Sequence, residues 1–227
     1  MRTIKLGREL STKNKTDIYN FLSALNEVNI PMEKLLKAGR IPEIKNACYN
    51  LVDGENAYGY YLSSNTLPKV YEILKRLNCK SFLDLGCGMN LTTNMLYITD
   101  LFFNKKSPIK FSGIERDKTL IEFSRLFFDD IPVIEADLMN ISSKDIEHAD
   151  VLYMYEPIYN EQMIRSFVDN LVNIMNFNQT ILLKSAGDIE DVLRDRADIK
   201  EIVIENCPLK IFHKKIASKK VSVLTNS

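Results

Sequence analysis

Apolar positions in the first part of the chain recur at three- and four-residue steps. Ile18, Phe21, Leu22, Leu25 and Val28 make the stripe of an amphipathic helix, with Thr16 or Asp17 placed to cap it and Pro31 to close it. A second short helix carries Met32, Leu35 and Leu36, and a third spans 42–51 with Ile44, Ala47 and Cys48 on one side. Pro68 opens a further helix whose packing residues are Val70, Tyr71, Ile73, Leu74 and Leu77. Proline suits a first helical turn because its missing N–H would have no partner there anyway. After residue 78 the texture changes. Short apolar runs at 81–85, 109–115, 132–135, 150–155, 180–184, 201–205 and 209–213 follow one another, with amphipathic stretches at 91–103, 118–128, 143–147 and 161–175 between the first five. That rhythm predicts an α/β fold: a doubly wound, mostly parallel sheet with helices on both faces. Only Asn206, Cys207 and Pro208 separate the last two runs, which predicts an antiparallel hairpin at one sheet edge. The expected organisation is an N-terminal helical cap over 1–67 and an α/β domain over 68–227, with a short edge element or frayed end after residue 215.

Composition narrows the class without naming a reaction. The 227 residues are 45% hydrophobic and 26% charged, the balance of a globular protein long enough to bury a sizeable core. Thirty Lys+Arg offset thirty Asp+Glu, so no strong field draws the chain toward nucleic acid or anionic lipid. The basic stretch Lys214, Lys215, Lys219 and Lys220 reads as a solvated edge. The 4 cysteines include no Cys-x-x-Cys pair, and the 2 histidines, His148 and His213, stand apart, so neither a metal site nor a disulfide framework is expected. With no apolar leader over 1–10 and no apolar run long enough to span a bilayer, the expected setting is cytoplasmic.

In an open parallel sheet, ligands bind beyond the carboxyl ends of the strands, near the point where strand order switches. The first predicted strand runs into Asp84-Leu85-Gly86-Cys87-Gly88-Met89-Asn90, where Gly86 and Gly88 permit a tight turn and close backbone approach to a ligand. The second ends in Gly113-Ile114-Glu115, the third in Glu135-Ala136-Asp137-Leu138, and the fourth in Tyr155-Glu156-Pro157-Ile158-Tyr159. Cys87 reads as a small filler inside the glycine loop rather than as a nucleophile.

Asp84-x-Gly86-x-Gly88 after a strand, an acidic residue closing the next strand and Ala136-Asp137-Leu138 after the third resemble the class I, Rossmann-like S-adenosylmethionine-dependent methyltransferases. The resemblance covers roughly 58–184. It implies an enzyme with S-adenosyl-L-methionine as cofactor, whose methionine and ribose portions lie along Gly86, Cys87 and Gly88 and whose amino end is served by Asp84. Glu115 can accept from both ribose hydroxyls through its two carboxylate oxygens, Asp137 from the adenine amino group, and the Leu138 N–H can donate to a ring nitrogen. Asn90 stands at the third position of the motif, where glycine is commoner, and asparagine tolerates the backbone angles needed there. A dinucleotide fingerprint instead wants a third glycine three residues after Gly88, where Leu91 stands.

On the acceptor side, the resemblance places the segment after the fourth strand opposite the transferable methyl. Glu156 can orient or deprotonate an amine or hydroxyl and also touch the cofactor, and Tyr159 can wall the acceptor pocket. Their alternative reading is local: Pro157 ends the strand and Glu156 caps the following helix. Tyr58, in Ala57-Tyr58-Gly59-Tyr60-Tyr61, is expected to close over the methionine end or to pack the cap onto the sheet. The expected reaction is methyl transfer to a nitrogen or oxygen nucleophile, with a protein amine ahead of a small molecule and RNA. The alternatives are a cofactor-binding regulatory or scaffold module without catalysis, and an RNA methyltransferase. Oligomeric state is not legible.

Overall fold

A computed structural model describes residues 11, 13, 16, 17, 20, 66–106, 108–127, 130–155, 157–158, 161–184, 187–204, 207 and 209–215. The expected N-terminal cap, including Tyr58, lies almost entirely outside these described residues, as does the tail after residue 215. The elements in chain order are α1 (Leu67–Arg76), β1 (Ser81–Leu85), α2 (Leu91–Phe103), β2 (Lys110–Glu115), α3 (Lys118–Phe127), β3 (Val133–Glu135), a 3-10 turn (Leu138–Asn140), α4 (Ser143–Ile146), β4 (Val151–Tyr155), α5 (Glu161–Ile174), β5 (Thr180–Lys184), α6 (Gly187–Arg194), β6 (Ile199–Ile202) and β7 (Leu209–Lys214).

Among the described residues the strands form one seven-stranded sheet in the order β3-β2-β1-β4-β5-β7-β6. Strands β1 to β5 pair in parallel, and β7 runs antiparallel between β5 and β6. The chain winds from β1 out to β3, then returns to the far side of β1 to lay down β4. Strand order therefore reverses between β1 and β4, and the crevice above their carboxyl ends is where such sheets hold ligands. The hairpin expected at an edge is present, with β6 outermost.

The strand sequences are apolar on both faces because helices cover both. Leu83, Leu85, Leu152, Met154, Ile181 and Leu183 pack under Phe167, Leu171 and Ile189 of α5 and α6. The alternate positions Phe82, Phe111, Val151, Tyr153 and Leu182 pack under α1 and α2 through Val70, Tyr71, Leu74, Met95 and Leu96. Asp84 has the parity of Phe82, so its carboxyl points into this second layer, between Gly113 of β2 and Tyr153 of β4 in the strand register. The α1–α2 layer is pinned by Tyr71, whose hydroxyl donates to Asp100 Oδ1 at 2.9 Å while the Ile109 N–H donates to Asp100 Oδ2 at 2.5 Å. That network fixes the long connection from α2 into β2.

Two local features differ from the sequence expectation. Helix α6 was not expected, because its apolar residues Ile189, Val192 and Leu193 are only three in a polar octet that begins with glycine. Strand β6 begins at Ile199 rather than 201, since its register is set by pairing with β7 (Ile199 opposite Lys214) and not by its own weak alternation.

Candidate active site

The turn after β1 is built by backbone conformation. Gly86 and Gly88 both have positive φ, at 82° and 54°, and Asn90 joins them at 62°. Asn90 is the left-handed residue from which α2 starts, and its carbonyl accepts the Asn94 N–H at 3.0 Å. The Gly86 and Cys87 N–H groups donate to the Ile114 carbonyl at 2.9 and 3.0 Å, so the loop folds across the end of β2. A Cβ at Gly86 would stand 3.0 Å from the Pro157 Cβ and 3.6 Å from Leu138 Cδ1. The segments after β1, β3 and β4 thus meet over Gly86, where no side chain fits.

Glu115 closes this arrangement from β2. Its Oε2 accepts the Gly88 N–H at 2.9 Å, and its Oε1 accepts the N–H groups of Arg116 and Asp117 at 2.8 and 3.0 Å. An oxygen of a carboxylate has about two acceptor positions, so these bonds occupy Oε1 and leave capacity on Oε2. Asp137 sits beyond β3 in extended conformation and caps the 3-10 turn, accepting the Met139 N–H at 2.9 Å through Oδ1. Leu138 is buried beside the loop.

Asp84 is the deep acid of the site, 4% exposed. The Thr93 hydroxyl of α2 donates to its Oδ2 at 2.7 Å. Burial first, and then the neighbouring Glu115 charge, pushes the Asp84 carboxyl up to about 7 against the opposing Thr93 bond. Burial beside Asp84 and Glu115 likewise holds the Cys87 thiol well above its ordinary range, so it stays protonated at neutral pH. Cys87 Sγ fills the place beside Gly113, where a Cβ would come within 2.5 Å of it. Asn90 is wholly buried, yet neither its Nδ2 nor its Oδ1 has a hydrogen-bond partner. A buried amide without a partner is costly, and a polar ligand atom entering the crevice would relieve it.

The structure thus brings Asp84, Gly86, Cys87, Gly88, Asn90, Glu115 and Leu138 together beyond the carboxyl ends of β1 and β2, with Asp137 preceding Leu138 after β3. Glu156 and Tyr159 lie outside the described residues, as does Tyr58. Sequence reading missed Thr93 and the reason for Gly113. Thr93 stands three residues after Asn90, one helical turn along the same face, which is a signal readable once α2 is placed. The role of Gly113 depends on contact with Cys87 across strands and leaves no local mark. Among the described residues no group of three or more His, Cys, Asp or Glu is placed to hold a metal ion.

Solved structures share this architecture at low sequence identity. The S-adenosylhomocysteine-bound methyltransferase PaMTH1 of Podospora anserina is 9% identical, with 92% of this chain and 91% of that chain covered and a TM-score of 0.51. The apo S-adenosylmethionine-dependent methyltransferase SibL is 12% identical over 67% of this chain and 55% of its own, with a TM-score of 0.52. A protein of Methanococcus maripaludis, described as a candidate S-adenosyl-L-methionine-dependent methyltransferase, is 13% identical over 70% of this chain and 91% of its own, with a TM-score of 0.50. No family model matches the chain, and no curated protein matches it in sequence. The fold is the Rossmann-like fold of the class I S-adenosylmethionine-dependent methyltransferases.

Proposed function

We propose that the chain is an S-adenosylmethionine-dependent methyltransferase that binds its cofactor across the β1–β4 switch point and transfers a methyl group to a nitrogen or oxygen nucleophile. The observation that carries this reading is the joint placement of the glycine loop, Glu115 and Asp137 at three successive strand ends, with the Gly88 N–H bonded to Glu115. The donor set suits a cofactor with a ribose diol, an adenine and a cationic amino-acid end. It does not suit a phosphate, because the Gly86, Cys87 and Gly88 N–H groups already donate within the protein and the neighbouring acidic side chains are Asp84 and Glu115. Glu115 Oε2 would accept from the ribose, Asp137 from the adenine amino group, and Asp84 and Asn90 would serve the amino-acid end. Gly86 and Gly88 would let the backbone lie against it.

Bound S-adenosylmethionine supplies a methyl group on a sulfonium sulfur. The protein's part in such an in-line displacement is alignment of the nucleophile and removal of its proton. Glu156 is the proposed group for orienting or deprotonating the acceptor and Tyr159 the proposed wall of its pocket, both following β4 directly in the sequence. The proposed acceptor is a protein amine ahead of a small molecule, within a capped domain divided near residue 67. The cysteine spacing, with no Cys-x-x-Cys pair, is what supports a reducing, cytoplasmic setting. Among the described residues no helix is long and apolar enough to cross a membrane.

Turnover of S-adenosylmethionine to S-adenosylhomocysteine in an acceptor screen tests the proposal. Wild-type protein is expected to turn over, and Glu156→Ala to bind cofactor with at least about a tenfold loss in kcat. Undiminished turnover in that variant would remove Glu156 from the catalytic role.

A further inference from the structure

Tyr153 stands directly beside Asp84 in the register of β4 against β1, and both side chains enter the α1–α2 layer. The tyrosine is 1% exposed, and its ring stacks on Phe82 with centroids 5.6 Å apart. Its hydroxyl has no hydrogen-bond partner. A phenylalanine would supply the same ring contact without the cost of burying an unbonded hydroxyl. The polar atom therefore calls for an explanation outside packing. Its titrating neighbours are Asp84 and Tyr155, and burial, then Asp84, keep its own proton firmly on.

The groups facing Asp84 make the need specific. Thr93 of α2 supplies one hydrogen bond, Gly113 of β2 contributes no side chain, and Glu115, further along β2, is a like charge. The loop contributes the Asn90 amide, without a partner, and the Cys87 thiol, which is neutral at ordinary pH. From β4 comes Tyr153, with Tyr155 as its own neighbour further along the strand. A charged Asp84 here has few donors, and the residue paired beside it on β4, Tyr153, carries an unused buried O–H.

On the cofactor reading above, we propose that Tyr153 is a positioning residue: when Asp84 ionises, the Tyr153 hydroxyl donates to its carboxylate and holds it for the cationic amino end of the cofactor. The proton balance is simple. Asp84 gives up one proton to solvent, the cofactor's ammonium keeps its own, and the tyrosine O–H stays intact as a donor. Binding of the amino-acid end is then linked to deprotonation of Asp84, and its affinity rises with pH until the free protein's carboxyl is ionised. With the carboxyl pushed to about 7 in the free protein, the slope falls in the neutral range.

The test is titration of the full chain and of Tyr153→Phe, Asp84→Asn and the double variant from about pH 5.5 to about pH 8.5, with S-adenosylhomocysteine and with 5′-methylthioadenosine, which lacks the amino-acid end. Wild-type affinity for S-adenosylhomocysteine is expected to climb by up to about tenfold per pH unit and then level off. Tyr153→Phe is expected to move the inflection upward by about one unit, weakening binding about tenfold near neutrality and less at the alkaline end. Binding of 5′-methylthioadenosine is expected to be flat with pH and indifferent to Tyr153→Phe. Asp84→Asn is expected to flatten the curve, and adding Tyr153→Phe to it should change nothing more. The proposal is overturned if Tyr153→Phe weakens both ligands alike, weakens S-adenosylhomocysteine by one factor at every pH, or leaves the inflection in place. Failure of the wild-type protein to bind S-adenosylhomocysteine at any pH is a different result, and it would overturn the cofactor reading itself.

Discussion

On the proposed reading Asp84 serves two opposed demands, stability of the fold and binding of the cofactor, and they can be separated by experiment. The folded protein holds its proton to about pH 7, whereas the unfolded chain releases it near 3.8. Across that window the folded state binds more protons, so this group makes stability fall as pH rises, by on the order of 2–4 kcal/mol in total. Asp84→Asn is therefore expected to raise the urea midpoint of the cofactor-free protein at about pH 8 and to shrink its difference from the midpoint at about pH 5. The same variant is expected to bind S-adenosylhomocysteine more weakly at alkaline pH, which separates stability from binding. Glu115 is likewise part of the loop's own frame, since it accepts three backbone N–H groups. Glu115→Gln, which keeps one acceptor oxygen, is expected to disturb the fold less than Glu115→Ala, read as melting temperature. The sequence places these acids correctly because strand ends are legible from apolar runs. The partners that tune them, Thr93 and Tyr153, come from another layer and another strand, and spacing along one chain does not reveal them.

At the scale of elements, the glycine loop fits β2 only because Gly113 leaves room for Cys87. Gly113→Ala is expected to destabilise the protein by about 1–3 kcal/mol through overpacking, and Cys87→Gly to recover part of that loss in the double variant. Additive losses in chemical denaturation would show that the two residues do not share this space. A second lock holds α5 to the edge hairpin. Lys214 is buried and its Nζ donates to the carbonyls of Val172 and Met175 at the carboxyl end of α5, the latter at 2.8 Å. Lys214→Met keeps the stem and removes the donors to the Val172, Asn173 and Met175 carbonyls, with an expected loss of about 1–3 kcal/mol in stability. Lys214 reads in the sequence as part of a solvated basic edge. Only the pairing of β7 between β5 and β6 turns its side chain toward the end of α5. The long helices and the parallel strands, by contrast, follow from period and length alone. Helix α6 does not, because three apolar residues are too few to stand out.

For the whole molecule, winding order decides where chemistry is placed. Gly88 and Glu115 lie 27 residues apart in the chain, Asp137 follows later still, and the parallel crossovers bring all three to one edge. That edge was legible in the sequence as soon as the strands were, since ligand sites follow the switch in strand order. The acceptor was not, because acceptor pockets are shaped by loops and caps rather than by the sheet. The central claim is the cofactor site, and calorimetric titration with S-adenosylhomocysteine at mildly alkaline pH tests it most directly. The expected result is wild-type binding in the micromolar range, about −8 kcal/mol, weakened about tenfold or more in both Glu115→Ala and Asp137→Ala. No binding by the wild-type protein, or equal binding in all three, would contradict the account.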